Sequence, residues 1–428
     1  MTSEIIISFC IIVAMIIGFV TEIVPLAVTA FLGCLAFYIT GIIDKATVFS
    51  GFSSDIIFMI AGTMVVGEAM FQTGAAQFIG KKIIKAVGYN ERRMILVLVL
   101  ACGVLSAFTS NSSVMAMFLP LIRSVAAASD GKIKGKHIVM PVGIASMVGG
   151  ACTLVGSTPQ LVAQGLLESS GLRPMAFFEL GITGIPLLIL LAFWFSVIAY
   201  KPLVRSVAYM PDVPEYIQEM KNTGERSEAI NSKMYVCFAI IVLMVIGFLC
   251  ELWTVGVVAS VAAMACIVTG CLSAKTAFSK ISWSAIVIVG STLGVAKGLN
   301  ASGAAGFLAN WLVGVIGTNA SVVVVMLVFG LMVTIMSNLL SHTATISLLV
   351  PIFIPLAQEM HLDPTLFVYA ITCFVMCGYA TPLGVSSYAM TLAEGYSFRD
   401  YQKIGGPFNI VAYLIIVAIC CARFVIGF

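Results

Sequence analysis

The chain has 428 residues, of which 61% are apolar and 10% charged, with a formal net charge of +3 and a mean hydropathy of +1.11. A water-soluble domain is nearer a quarter charged, so a soluble globule is excluded. The net charge says little by itself, and nothing points to nucleic acid; many charge-free stretches of roughly 17–22 residues have membrane-spanning length instead.

The first apolar stretch, Ile5 to Val20, lacks a basic leader and a small-residue cleavage site, and reads as a retained helix. Spans are predicted near 5–22, 25–43 and 55–71. Residues 75–87 form a shorter amphipathic stretch with Lys81, Lys82 and Lys85, suited to lying at the membrane interface. Residues 92–109 and 111–128 are two apolar arms meeting at Ser110-Asn111. Two full crossings would place that polar tip at the far surface, whereas a re-entrant hairpin places it near the midplane; the polarity favours the hairpin. The next span, 138–166, is interrupted by Gly149-Gly150 and by Gly156-Ser157-Thr158-Pro159, which predicts a broken helix with exposed backbone groups. A span near 178–200 completes the first half, and 201–232 is a polar linker. The twelve cysteines are scattered through apolar segments, and Cys373 and Cys377 have no second pair to complete a metal site, so they read as packing residues.

From residue 233 the pattern starts again. A shift of 229 residues lays Ile17-Gly18-Phe19 on Ile246-Gly247-Phe248, Glu22 on Glu251, Thr40-Gly41 on Thr269-Gly270, and Gly74-Ala75-Ala76 on Gly303-Ala304-Ala305. Further along, Gly184-Ile185-Pro186 meets Gly405-Gly406-Pro407. A duplication this long is half of a transporter, not a solenoid unit. Five crossings per half is an odd number, so the halves must be inverted. The basic residues agree: of 22 Lys and Arg, Lys45, Arg173, Lys297 and Arg423 fall on one side, Arg123 lies in a hairpin arm, and the rest collect on the other, cytoplasmic, side. The expected fold is therefore an all-α polytopic membrane protein of two inverted repeats, 1–200 and 233–428, with two re-entrant hairpins and about ten transmembrane helices.

Each half carries two polar interruptions. These are Ser110-Asn111-Ser112 and Gly156-Ser157-Thr158-Pro159-Gln160, then Ser341-His342-Thr343 and Gly384-Val385-Ser386-Ser387-Tyr388. Each sits where a helix restarts, and a helix N-terminus offers unpaired N–H groups and partial positive charge. Several converging at mid-membrane would hold an anion without Arg or Lys, while unwound carbonyls and side-chain oxygens can hold a small hard cation such as Na⁺. Taken singly, each has a plainer reading. Ser-Asn is an N-cap, Gly-Ser-Thr-Pro a turn, and His342 a satisfied buried histidine. Arg123 snorkels to the cytoplasmic interface, and Glu68 and Lys297 anchor helix ends. The pairing of the interruptions across inverted halves is what favours a site.

The Ser110-Asn111-Ser112 and Ser341-His342-Thr343 motifs, each ahead of an apolar run ending in proline (Pro120 and Pro351), resemble the paired Ser-Asn-Thr motifs of the divalent anion–sodium symporter family, part of the ion transporter superfamily. Gly156 to Gln160 resembles that family's Gly-Ser/Thr-Pro-Pro-Asn loop, and Gly384 to Tyr388 a degenerate second copy. The likeness of layout covers nearly the whole chain. It implies Na⁺-coupled symport of a small divalent anion, foremost a C4-dicarboxylate, by a homodimer embedded in the lipid bilayer of a plasma membrane, expected to be a bacterial inner membrane. Each protomer would have a scaffold (about 1–90 and 233–319) and a transport part (about 91–200 and 320–428) that slides as an elevator. The resemblance places substrate at Asn111, Ser112, Ser157, Thr158, His342, Thr343 and Ser386. It places one sodium ion at Ser106, Ser110, Asn111 and Gly156, and a second at Ser337, Leu340, His342 and Gly384.

The chain departs from the family where His342 replaces Asn. Imidazole nitrogen is a poor ligand for Na⁺, which prefers oxygen, so the second sodium site is the weaker expectation, and proton coupling or pH sensing through His342 is the alternative. Other classes stay open on that account: a proton-coupled or exchange-type permease for sulfate, tartrate or citrate, or a sodium–proton antiporter. An enzyme is disfavoured, with no His-Glu-x-x-His or Gly-x-Ser-x-Gly present, and so is a channel, with no pore ring or run of gating charge.

Overall fold

Among the described residues every regular element is helical, the result that hydrocarbon enforces on a backbone obliged to satisfy its own N–H and C=O groups. The computed structural model describes residues 2–21, 23–74, 87–88, 90–129, 132–210, 233–250, 253–317, 320–382 and 384–426. The first half opens with α1 (Ser3–Thr21), α2 (Leu26–Ile39), the short α3 (Lys45–Ser50) and α4 (Asp55–Gln72). It continues with α5 (Glu91–Ser106), α6 (Asn111–Ala128), α7 (Val139–Gly150), α8 (Thr158–Ser169), α9 (Gly181–Phe193) and α10 (Tyr200–Ser206). The second half runs α11 (Lys233–Cys250), α12 (Val255–Val268), α13 (Ala274–Lys280), α14 (Trp283–Ala301), α15 (Ala304–Ile316), α16 (Val322–Leu339), α17 (His342–Glu359), α18 (Pro364–Val375), α19 (Ser386–Ala393) and α20 (Gly406–Ile426).

Helix bounds recur at the spacing of the sequence repeat. α2 and α12 coincide end to end under the 229-residue shift. Their short followers start with the same device: Asp44 caps α3 by accepting from Thr47 N, and Ser273 caps α13 by accepting from Thr276 N.

The early helices of each half pack on those of the other. α4 crosses α12 where a Cβ on Gly62 would stand 2.5 Å from the backbone of Ala259. α2 crosses α14 where a Cβ on Gly294 would stand 2.4 Å from Cys34 Sγ. Small residues at both crossings let the backbones close in, as membrane helices require when burial in lipid supplies no driving force. Asp55 ties down the first crossing, accepting from Gly256 N (2.8 Å) and Thr254 Oγ1 (2.7 Å).

The later helices form a second group. α5 packs on α7 and α9, α16 packs on α18 and α20, and α17 packs on α18 and α8. Contacts of α8 with α14, and of α17 with α14 and α15, join the two groups. The repeated Gly-x-Pro is explained here. A Cβ on Gly184 would stand 2.8 Å from the Ala151 carbonyl oxygen, and one on Gly405 2.0 Å from that of Tyr379. A glycine is thus pressed onto the unwound segment in both halves, from within α9 onto the one after α7 and from the helical turn leading into α20 onto the one after α18.

Seven helical stretches among the described residues are long and apolar enough to span a bilayer, against the expected count of about ten. The difference lies in shorter helices. α2 ends at Ile39 because Gly41 turns the chain with φ of +77°, and α12 ends likewise before Gly270 at +70°. Fourteen residues give roughly 21 Å, short of the roughly 30 Å of a bilayer core. The 138–166 span is broken as expected, into α7 and α8. The 92–109 and 111–128 arms appear as α5 and α6, with Pro120 inside α6 as Pro351 is inside α17. Most of the amphipathic stretch at 75–87, with Lys81, Lys82 and Lys85, lies outside the described residues, as does 211–232 of the linker and the Glu22–Glu251 match. Arg123 does not simply snorkel. It hydrogen-bonds Glu394 at the end of α19, with 24% of its side chain exposed against 9% for the glutamate, because a cation held half out of water is best satisfied by a nearby carboxylate.

Candidate functional site

The starts of α6, α8, α17 and α19 line one cleft of ≈ 430 Å³. Two of the four cap themselves. Ser110 accepts from Ser113 N at the head of α6, and Ser341 accepts from Ala344 N at the head of α17. Their backbones match: φ, ψ of −65°, 138° at Ser110 and −64°, 143° at Ser341. The other two have no side-chain cap, Ser157 before α8 and Val385 before α19 making no such bond. The N–H groups of Thr158 and Ser386 that open these helices therefore stand at the cleft as donors whose natural complement is an anion, Pro159 offering none. Ser112 Oγ and Ser386 Oγ hydrogen-bond each other, so the first tip of one half touches the second tip of the other.

Behind each hairpin tip lies a glycine cradle. In the first half it holds Asn111: a Cβ on Gly150 would meet Asn111 Oδ1 at 2.4 Å, and one on Gly156 would meet the Gly150 carbonyl oxygen at 2.3 Å. With its nitrogen turned inward, the Asn111 amide donates to the carbonyls of Ser146 and Gly156 (both 3.0 Å) and to Ser106 Oγ (2.8 Å). With its oxygen turned inward it completes a cluster of four oxygens with those same groups, and Ser106 Oγ donates to Ser146 O at 2.6 Å. In the second half the cradle holds His342. A Cβ on Gly378 would meet His342 Nε2 at 2.5 Å; one on Gly384 would meet the Leu340 carbonyl oxygen at 2.7 Å and that of Ser337 at 3.3 Å. Gly384 has φ of +82°, so no other residue fits there without strain. His342 is 3% exposed, and its Nε2 has no hydrogen-bond partner among the described residues.

The sequence-derived positions fall into two layers. Ser110, Asn111, Ser112, Gly156, Ser157, Thr158, His342, Thr343, Gly384 and Ser386 line the cleft. Ser106 and Ser337 are fully buried behind it, and Leu340 presents its carbonyl to Gly384.

Several residues at the site were not singled out by the sequence. Thr153 Oγ1 hydrogen-bonds the Ala107 carbonyl, and Thr381 Oγ1 donates to the Asn338 carbonyl at 2.5 Å. These threonines clamp each unwound segment to the helix before its tip. They coincide under the 228-residue shift that aligns the two loops, which is the signal that could have found them. Asn338 adds a second tie, donating to Cys377 O (3.1 Å) and accepting from Ala380 N (3.2 Å); its counterpart is Ala107, so no repeat reveals it. Glu68 is no mere anchor. It lines the cleft with Lys280, at 3.8 Å from it. Lys297, by contrast, hydrogen-bonds Ser50 Oγ at 2.9 Å and does not line the cleft.

Comparison with known proteins gives this geometry a context. A profile of the family CitMHS, described as citrate transporter, matches residues 16–373. The sodium-dependent dicarboxylate transporter SdcS of Staphylococcus saprophyticus is 24% identical over 94% of this chain and 82% of its own length. SdcS of Staphylococcus aureus is 23% identical over the same shares. Two solved structures share the fold. The YdaH transporter of Alcanivorax borkumensis, whose topology is described as unusual, superposes with a TM-score of 0.65 at 13% identity, covering 90% of this chain and 88% of its own. MtrF of Neisseria gonorrhoeae, described with a class of antimetabolite efflux pumps, superposes with a TM-score of 0.65 at 12% identity, covering 99% and 95%.

Proposed function

We propose, from the premise that this chain belongs to the CitMHS citrate transporter family and is a multi-pass membrane transporter, not an enzyme, that it carries a small di- or tricarboxylate, foremost a C4-dicarboxylate, in symport with Na⁺. The observation that carries this reading is the meeting of four helix starts, two from each half, at one cleft. The uncapped starts of α8 and α19 would receive carboxylate oxygens from both sides, with hydroxyls of Ser112, Thr158, Thr343 and Ser386 as directional donors. The relatives named as sodium-dependent dicarboxylate transporters support the same cargo and coupling.

The first cradle supplies oxygen chemistry for the cation. With the Asn111 amide oxygen facing inward, Asn111 Oδ1, Ser106 Oγ and the carbonyls of Ser146 and Gly156 form the all-oxygen set that a hard cation selects. Cation and anion held a few ångströms apart at low dielectric favour each other, which makes binding coupled and reciprocal. In this reading α5–α9 and α16–α20 move as the transport part against the scaffold of α1–α4 and α11–α15, in a homodimer. A second reading is favoured by one observation. The Nε2 of His342, without a partner among the described residues, occupies the second cradle, where oxygen would be needed for a second Na⁺; a proton taken up there would give proton coupling or pH sensing.

Ligand-dependent thermal stabilisation across succinate, malate and citrate, with Na⁺ or with choline, tests the reading. Stabilisation that needs Na⁺ and disappears in Asn111→Ala and Thr343→Ala supports it; retained binding in both variants removes the assigned site. Uptake into liposomes under imposed Na⁺ or pH gradients separates the two couplings.

A further inference from the structure

The cleft has a wall that the four motifs do not supply. α4 contributes Thr63, Gly67 and Glu68, and the end of α13 contributes Lys280. Among the described residues Glu68 and Lys280 are the carboxylate and the ammonium that line the cleft. They are held unequally. Glu68 is 12% exposed and accepts from Gln72 Nε2 at 2.9 Å, whereas Lys280 is 56% exposed and stands 3.8 Å from Glu68, beyond hydrogen-bond reach. The carboxylate is fixed and the ammonium is loosely kept. A loose, solvated ion pair contributes little, so the lysine can leave its partner for a better anion at small cost.

We propose that Lys280 is a selectivity residue. It takes the outermost carboxylate of a tricarboxylate anchored at the four helix starts, and Glu68 is its counter-ion when no such anion is there. This rests on the reading of the cleft as a carboxylate site and adds to it the basis of discrimination by charge. In a cleft of ≈ 430 Å³ a dicarboxylate is satisfied by the helix starts that flank it, while a third carboxylate must be directed at the remaining wall. There Lys280 offers three donors and a positive charge. Glu68 opposes the same group. The pair therefore admits a third carboxylate only when the lysine swings away from the glutamate, and leaves a dicarboxylate held at the helix starts unaffected.

The test uses the full chain in nanodiscs and measures succinate and fully ionised citrate binding at pH 8 with saturating Na⁺. Lys280→Gln should weaken citrate by on the order of tenfold and succinate by less than about twofold. Glu68→Gln should tighten citrate, and the double variant should bind citrate more tightly than Lys280→Gln alone and more weakly than Glu68→Gln alone, because each charge acts on the third carboxylate. Lys280→Arg keeps the charge and should keep the citrate-to-succinate ratio, which guards against a variant that merely misfolds. Lys275→Gln, an exposed lysine of the same helix outside the cleft, should change neither ligand. The citrate effect should shrink in high salt. A citrate-to-succinate ratio that Lys280→Gln leaves unchanged, or that Lys275→Gln changes equally, overturns the proposal, as does wild-type protein that binds succinate and not citrate. If Asn111→Ala and Thr343→Ala bind both anions normally, the cleft itself is misassigned. If they bind neither and the Lys280→Gln ratio is unchanged, only the role of Lys280 falls.

Discussion

The two glycine cradles are the same piece of architecture filled with different chemistry. Gly150 and Gly156 close on Asn111, and Gly378 and Gly384 close on His342. In both, a serine-capped hairpin tip leans into an unwound segment that a threonine clamps to the preceding helix. The first filling can present four oxygens to one point; the second presents a buried ring nitrogen with no partner among the described residues. The backbone of a duplicated site is therefore kept by packing, while the single residue at its centre sets which ion it can serve. Duplication makes this division possible, since each cradle must hold its shape independently for the four helix starts to meet.

The comparison breaks most visibly at the cradle glycines. Gly156→Ala drives a Cβ into the Gly150 carbonyl, and Gly384→Ala drives one into the Leu340 carbonyl at a left-handed residue. Each should cost about 1–3 kcal/mol of stability by overpacking, with about another 1 kcal/mol at Gly384 for backbone strain, and both should abolish Na⁺-dependent ligand stabilisation in thermal unfolding. His342→Asn sharpens it. It gives the second cradle the side chain of the first, and should steepen the sodium dependence of uptake while flattening any pH dependence that the imidazole supplies. Sodium and pH profiles that both match wild type would separate His342 from coupling.

The clamps test whether the scaffolding is equivalent. Thr153→Val leaves the Ala107 carbonyl without its hydroxyl partner, and Thr381→Val does the same to Asn338. Each should destabilise by about 1–3 kcal/mol, the cost of a buried polar group left unpaired. The loss at Thr381 should be the smaller, because Asn338 ties the same segment through Cys377 and Ala380. The smallest effect belongs to the caps: Ser110→Ala and Ser341→Ala should each cost about 1 kcal/mol and by equal amounts, since their geometries match.

Much of this was legible in the chain because the membrane simplifies the problem. An apolar helix needs no explanation, so each polar interruption stands out, and duplication supplied a second reading of each. Hence the four tips, the broken helix after Gly150, and the Gly-x-Pro repeats were visible as patterns. What stayed hidden was contact between residues far apart in sequence. Nothing local brings Arg123 to Glu394, or Lys280 to Glu68 and the cleft. Apolar runs also overstate span length, because the turn at Gly41 ends α2 well before its hydropathy fades.

An experimental structure of the protein in nanodiscs with saturating succinate and Na⁺ tests the central claim most directly. The account predicts anion density in contact with Thr158 and Ser386 at the heads of α8 and α19, and cation density among Asn111, Ser106, Ser146 and Gly156. Anion density elsewhere, with those helix starts untouched, would contradict it.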